Sequence, residues 1–167
     1  ATLSYTENES ATVIDNTITI TDDDDIEMSG STVTISTGFT SGDTLTLSTQ
    51  NGISGVYTDS VLTISGTASL SKYVTALQSI TYHSTSEDPT ITANSRTISW
   101  EVTDANSEIL GAETSTAVTS TINITPINDV PVMTAGATLS YTENEVATVI
   151  DDTITITDDD DIELDSA

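Results

Sequence analysis

Residues 17–25 read TITITDDDD, an alternation of threonine and isoleucine that ends in four aspartates. A period of two places successive side chains on opposite faces of an extended chain, which is the pattern of a β-strand with one buried face. The same period recurs at 32–36 (TVTIS), 44–48 (TLTLS), 61–65 (VLTIS), 79–83 (SITYH), 97–102 (TISWEV) and 116–125 (TAVTSTINIT). The sequence therefore predicts strands as the main secondary structure.

Turn-forming residues such as Asn51-Gly52 and Asp88-Pro89 separate these runs. About seven or eight short strands over ~130 residues are typical of a sandwich. We predict an all-β, immunoglobulin-like Greek-key β-sandwich. Only residues 68–77 (ASLSKYVTAL) have a spacing that suits a short helix. The expected core contains the Ile, Val and Leu of the strands together with Phe39, Tyr73, Tyr82 and Trp100.

Residues 1–31 recur almost unchanged at 137–167, with 25 of 31 positions identical and a constant offset of 136. The second copy retains every acidic residue of the first. Such near-identity indicates an array of tandem repeats. We predict one complete sandwich with its linker at 1–131, and the opening strands of an incomplete next repeat at 132–167.

The charge of the chain is strongly one-sided, because 27 Asp and Glu oppose 2 Lys and Arg and give a formal net charge of −25. Such a chain repels nucleic acid and anionic membranes, so neither is an expected partner. No apolar run approaches the roughly 20 residues that span a bilayer, and we expect no membrane insertion. With no cysteine, disulfides and thiolate metal sites are excluded. The composition favours a cation as partner.

Acidic and amide side chains lie where predicted strands end: Glu7; Asp22, Asp24 and Asp25; Asp104 and Asn106; Asn128 and Asp129; and, in the second copy, Glu143, Asp158 and Asp160. Ca²⁺ takes six to eight oxygen ligands of these types. Loops at strand ends can converge, so the spacing permits a shared site, and we predict Ca²⁺ as the cofactor. The alternatives are solvated turns and, at Val130-Pro131, a plain extended linker.

These groups resemble the calcium-binding positions of the cadherin-like fold. The resemblance covers Glu7 near the first strand, Asp22 with Asp24 after the second, Asp104 with Asn106 in a later loop, and a linker of Asn128-Asp129 followed by Pro131. It implies that calcium binds between successive domains.

A more specific resemblance covers nearly the whole repeat. The segments 61–68 (VLTISGTA), 76–82 (ALQSITY), 96–99 (RTIS), 102–104 (VTD) and 124–131 (ITPINDVP) occur in the order found in extender repeats of giant bacterial RTX adhesins. This resemblance implies a calcium-stiffened spacer on the bacterial cell surface, which projects an adhesive tip for attachment or biofilm formation. Its partners would be neighbouring copies of the same repeat.

Two other functional classes remain open. The first is an adhesive module that recognises glycan or ice through a threonine-rich or aromatic surface. The second is a hydrolase, but His83 is the only histidine and no nucleophile motif accompanies it. We therefore expect no enzymatic activity.

The second copy lacks the rest of its own sandwich, which leaves Ile150, Ile154 and Ile156 without predicted partners. Unpaired strand edges seek pairing. Residues 127–136 span at most ~33–36 Å, which is marginal for a return to the far end of the same domain. We expect residues 137–167 to exchange with a neighbouring molecule or to be disordered.

Overall fold

A computed structural model describes residues 1–106 and 111–163. The chain forms two compact units, Ala1–Ile127 and Asn128–Ala167. The boundary lies four residues before the expected one after Pro131. The elements, in chain order, are β1 (Thr2–Thr6), β2 (Thr12–Val13), β3 (Glu27–Thr37), β4 (Thr44–Thr46), β5 (Ser54–Thr58), β6 (Val61–Ser69), α1 (Leu70–Leu77), β7 (Thr81–His83), β8 (Ser95–Asp104), β9 (Val118–Thr125), β10 (Val132–Thr134) and β11 (Thr155–Thr157).

The first unit contains a six-stranded sheet in the order β1-β9-β8-β3-β6-β5 and a three-stranded sheet in the order β2-β7-β4. All pairs in these sheets are antiparallel except β1 and β9, which run parallel. The prediction of an all-β sandwich is confirmed. Six of the seven alternating runs overlap strands, and the predicted helix is present as α1.

The first of those runs is the exception. Residues 17–21 form no strand, although Ile18 and Ile20 are partly buried against the core and the intervening threonines are exposed. The local pattern therefore predicted the direction of the side chains correctly, whereas the strand assignment was wrong. The reason is that strand status depends on a hydrogen-bonded neighbour, and within the described residues none pairs with this segment.

The core of the first unit combines aliphatic side chains from both sheets with Tyr5, Tyr73, Tyr82 and Trp100, all at most 3% exposed. Tyr5 and Tyr82 meet edge to face with ring centroids 4.9 Å apart. Phe39 was expected in this core, but its side chain is 41% exposed. It follows Gly38 in the connection between β3 and β4, and the strand alternation no longer applies there.

A fully buried ion pair, between Arg96 and Asp43, lies inside the first unit. The Arg96 side chain is fully buried, and its Nε donates to Oδ2 of Asp43 at 2.6 Å. The Asp43 carboxylate also accepts hydrogen bonds from the Tyr82 hydroxyl, at 2.6 Å, and from the Thr40 amide, at 2.8 Å. The two opposite charges compensate each other, and the further donors satisfy the Asp43 carboxylate.

The second unit contains the antiparallel pair β10-β11. Ile150, Ile154 and Ile156 are 75%, 52% and 47% exposed. In the described parts of both units, no helix is long and apolar enough to cross a membrane.

Candidate metal centre

The predicted ligands of the first unit lie at opposite ends of the six-stranded sheet. β1 runs parallel to β9, with Thr6 opposite Thr125, so Glu7 lies where β9 ends. β8 runs antiparallel to β9, with Trp100 opposite Val118, so Asp104 lies beyond the start of β9. Glu7 and Asp104 of the first unit therefore do not share one site, although the spacing permitted it, because the local pattern does not reveal the parallel direction of β1.

Asp22 organises the loop that follows residues 17–21. Its Oδ1 accepts hydrogen bonds from the amides of Asp24, at 3.2 Å, and Asp25, at 2.8 Å. This arrangement is an Asx-type turn, in which a short carboxylate satisfies backbone donors of its own loop. The turn draws the carboxylates together: Asp22, Asp24 and Asp25 each offer an oxygen within 4.8 Å of the other two.

Asp104 organises the neighbouring loop in the same way. Its Oδ1 accepts from the Asn106 amide at 3.0 Å, and its Oδ2 accepts from the Glu113 amide at 2.9 Å. Asn106 adopts a left-handed backbone with φ of 57°, which Asn tolerates better than most residues. Its Oδ1 accepts from the Gly111 amide at 2.7 Å. The side chains that the sequence singled out here therefore bind backbone amides at Asn106, Gly111 and Glu113.

These two loops line one cavity of about 270 Å³, which we call the acidic pocket; its lining residues are Asp22, Asp24, Asp25, Asp104, Asn106, Gly111 and Glu113. The structure thus brings together two of the predicted groups. Asp25 and Asp104 are buried, whereas Asp24 is exposed. The side-chain atoms of the pocket that could bind a metal are all oxygens, apart from the Asn106 amide nitrogen. This donor chemistry suits a hard cation such as Ca²⁺ better than a transition metal.

Asp22 and Asp24 have pKa values that move in opposite directions. Hydrogen bonds from the Asp25 and Asp24 amides lower the pKa of Asp22. The pKa of Asp24 is raised, first by its side-chain hydrogen bond to Asp22, then by desolvation and by the charges of Asp22 and Asp25. Adjacent carboxylates resist simultaneous ionisation in this way. A bound cation would relieve the same repulsion.

At the opposite end of the sheet, the Glu7 side chain is only 2% exposed. The Glu7 amide donates to the Thr125 carbonyl at 2.9 Å, and Glu7 Oε2 accepts from the Ile127 amide at 2.7 Å. A carboxylate oxygen of Glu87 lies within 4.8 Å of one from Glu7. Asn8, with φ of 62°, donates to Glu87 at 3.2 Å. Glu7 therefore links β1 to the end of β9 beside a second carboxylate.

The remaining predicted ligands belong to the second unit. The Asp129 amide donates to Asp160 Oδ2 at 2.5 Å, so the linker and the second aspartate loop are in contact. The Asn128 side chain donates to the Asp129 carbonyl. Asp158 Oδ1 accepts from the amides of Asp160 and Asp161, at 3.1 and 2.9 Å, which repeats the Asp22 turn. Glu143 is exposed, unlike its counterpart Glu7.

Two carboxylates near these ligands were not predicted. Glu113 lines the acidic pocket, and its main chain bonds to Asp104 in both directions. Glu87 lies beside Glu7. Both occur outside the strand-end motifs. Glu87 directly precedes the Asp88-Pro89 turn, and that position was the only local signal for it.

No known family model matches the chain, and no solved structure does. The chain is 36% identical to Halomucin from Haloquadratum walsbyi in an alignment 106 residues long, which covers 59% of the chain. The matched stretch is 1% of Halomucin, which is therefore a very long protein. The chain is thus similar to a small part of one giant relative.

Proposed function

We propose that this chain is a non-enzymatic extender repeat of an extracellular, cell-surface adhesin, and that Ca²⁺ bound at its strand-end loops stiffens it. The observation that carries the proposal is the acidic pocket. There, two loops distant in sequence place four aspartates, Asp22, Asp24, Asp25 and Asp104, around one cavity.

The charge of the chain supports a cation in this pocket. A formal net charge of −25 destabilises a compact state through self-repulsion. Within residues 22–25, the side-chain hydrogen bond to Asp22, desolvation and the charges of Asp22 and Asp25 raise the pKa of Asp24, so the carboxylates repel one another. A divalent ion would replace this repulsion with attraction, and its binding free energy would add to the stability of the folded state.

The distribution of the acidic groups supports the spacer role. One group lies at each end of the sandwich, as a repeat with neighbours on both sides requires. The Glu7 carboxylate accepts a hydrogen bond from the amide of Ile127, the last residue of the first unit. Two residues later, the amide of Asp129 donates to the carboxylate of Asp160 in the next copy. Carboxylates therefore accept hydrogen bonds from the backbone at two positions of the linker, Ile127 and Asp129. Ions bound along it would restrict its bending.

The location and the array are supported by similarity. Residues 1–31 and 137–167 are nearly identical, and the relative Halomucin is a giant protein of which this chain matches 1%. We propose a secreted surface protein in which this segment is a spacer and another part of the protein forms the adhesive tip.

A glycan- or ice-binding module is the weaker hypothesis. Stacking on a sugar ring requires an exposed aromatic platform, but Tyr5, Tyr73, Tyr82 and Trp100 are buried in the core. The exposed Phe39 and Tyr141 belong to different units, so the described part of each unit has a single exposed aromatic side chain. His83 is the only histidine in the sequence and no nucleophile motif accompanies it, so a hydrolase has no support from the sequence.

Calcium-dependent thermal unfolding of the chain tests the proposal. Ca²⁺ at 100 times its Kd stabilises a one-site protein by about 2.7 kcal/mol. We expect the melting temperature to rise with Ca²⁺ and to fall with EGTA. The double substitution Asp22→Asn and Asp24→Asn should abolish the rise. The matched control, Asp59→Asn with Asp88→Asn, removes two charges elsewhere and should retain it.

Mg²⁺ and NaCl at equal ionic strength separate specific binding from charge screening. An equal rise with NaCl would mean that the carboxylates only need screening. An equal loss in the control pair would contradict the assignment to the acidic pocket.

A further inference from the structure

Residues 19–21 (TIT) form an extended edge without a partner strand. Thr19 and Thr21 are exposed and Ile20 is half-buried. In the described parts of the chain, no backbone–backbone hydrogen bond involves these three residues. Beside them lies a cleft of about 240 Å³ whose apolar lining includes Ile18, Ile20, Leu77, Trp100, Val102 and Val118.

The second copy shows the same three residues with a partner. Residues 155–157 are the TIT that corresponds to 19–21 at the offset of 136. They form β11 and pair antiparallel with β10, with Val132 opposite Thr157, Met133 opposite Ile156 and Thr134 opposite Thr155. β10 belongs to the linker that precedes the second copy. The identical sequence therefore becomes a strand where a linker lies beside it.

The entry of the chain into each copy shares one contact, between the nitrogen of its first alanine and the corresponding aspartate. In the second copy, Asp151 Oδ2 accepts from the amides of Gly136, at 2.8 Å, and Ala137, at 3.0 Å. In the first copy, the corresponding Asp15 Oδ2 lies 3.5 Å from the nitrogen of Ala1. The Ala1 carbonyl accepts from Thr121, which places it beside β9. A linker leading into Ala1 would therefore reach Asp15 as the linker into Ala137 reaches Asp151.

We propose that the edge at residues 19–21 and its cleft bind the linker strand of the preceding repeat, a segment with the sequence of β10. Its valine would lie opposite Thr21, its methionine opposite Ile20 and its threonine opposite Thr19. This is β-strand addition to an open edge, in which main-chain bonds give affinity and side chains give register. The inference rests on the tandem order of the proposed function but not on its ions.

The side chains of the linker strand fit the cleft. Residues directly opposite in an antiparallel pair project from the same face of the sheet. The methionine would therefore follow Ile20 towards the apolar lining. Met133 of this chain is 67% exposed, so it leaves apolar surface that the cleft can bury. Methionine adapts well to irregular apolar spaces.

The test places residues 130–136 (VPVMTAG) directly before Ala1 of the full chain and measures amide hydrogen exchange in EGTA. We expect exchange within residues 19–21 to slow by at least about tenfold, with a higher melting temperature. In a matched control, the added methionine is replaced by aspartate, and the protection should disappear. Trp100, the single tryptophan, lines the cleft and reports its closure through fluorescence.

Unchanged exchange at 19–21, or equal protection with the aspartate control, would overturn the inference. Protection seen only in a concentration-dependent dimer would overturn it in favour of exchange between molecules. EGTA removes calcium, so this experiment is independent of the proposed ion sites. The added strand could give no protection although Ca²⁺ stabilises the chain, or it could give protection although Ca²⁺ has no effect.

Discussion

Replacing Arg96 with leucine should destabilise the protein more than any single change at its surface. Arg96 is fully buried, and besides its bonds to Asp43 it donates to the carbonyls of Pro89, at 2.6 Å, and Ala93, at 2.7 Å. Leucine removes all these donors. The Asp43 side chain then stays buried, with Tyr82 and Thr40 as its remaining donors.

The expected cost follows from this uncompensated charge. Breaking a buried ion pair by removing one partner costs about 3–5 kcal/mol. For a unit of this size, each kcal/mol lowers the melting temperature by roughly 3 °C, so we expect a decrease of roughly 10–15 °C.

Urea unfolding of four chains measures this cost: the wild type, Arg96→Leu, Asp43→Leu and the double variant. The double variant should lose less than the sum of the single losses, because it leaves neither charge alone. A loss below about 1 kcal/mol for Arg96→Leu, or strictly additive losses, would refute the reasoning.

Two further predictions concern the backbone and the pH dependence. Gly38→Ala should destabilise the protein by about 1–3 kcal/mol, because a Cβ there would lie 2.1 Å from the Ser95 carbonyl oxygen, at a φ of 76°. The control is Gly52→Ala, which has a φ of 81° but no atom within 4 Å of the added Cβ, and it should cost about 1 kcal/mol in the same urea assay. Equal losses of stability in the two variants would contradict the clash at Gly38. Desolvation raises the pKa of Asp15, but hydrogen bonds from Thr17 and Ser120 outweigh it and lower the pKa below 3.8. The stabilisation by Asp15 is therefore present above the unfolded pKa and is lost as pH falls through the folded one. The difference in melting temperature between wild type and Asp15→Asn should shrink from pH 7 to pH 2, and a constant difference would contradict this sign.

Much of the fold follows from the sequence because strand alternation is a local signal. The runs in β3, β6, β8 and β9 and the spacing of α1 predict both element type and buried face. Residues 17–21 carry the same signal without forming a strand, because pairing requires a neighbour from elsewhere in the chain. Phe39 lies past the end of β3, where the alternation has no meaning.

The sequence predicts which residues could bind a metal, but it does not predict which of them lie close together in the folded chain. The convergence of Asp22 and Asp104 depends on β8 ending beside the loop before β3. The separation of Glu7 from both depends on the parallel pairing of β1 with β9. These are long-range features, and Glu113 enters the pocket only through them. The binding of Ca²⁺ and the strand exchange of residues 137–167 stay predictions.

Small-angle X-ray scattering on chains of two, three and four tandem copies, with Ca²⁺ and with EGTA, tests the calcium-stiffened spacer most directly. The 11 residues of β3 alone span about 36 Å at ~3.3 Å per residue. We therefore predict that, with Ca²⁺, each added copy lengthens the particle by a constant increment of at least that size. In EGTA the increments should diminish with copy number, as for flexibly linked units. Equal dimensions in both buffers would contradict the account.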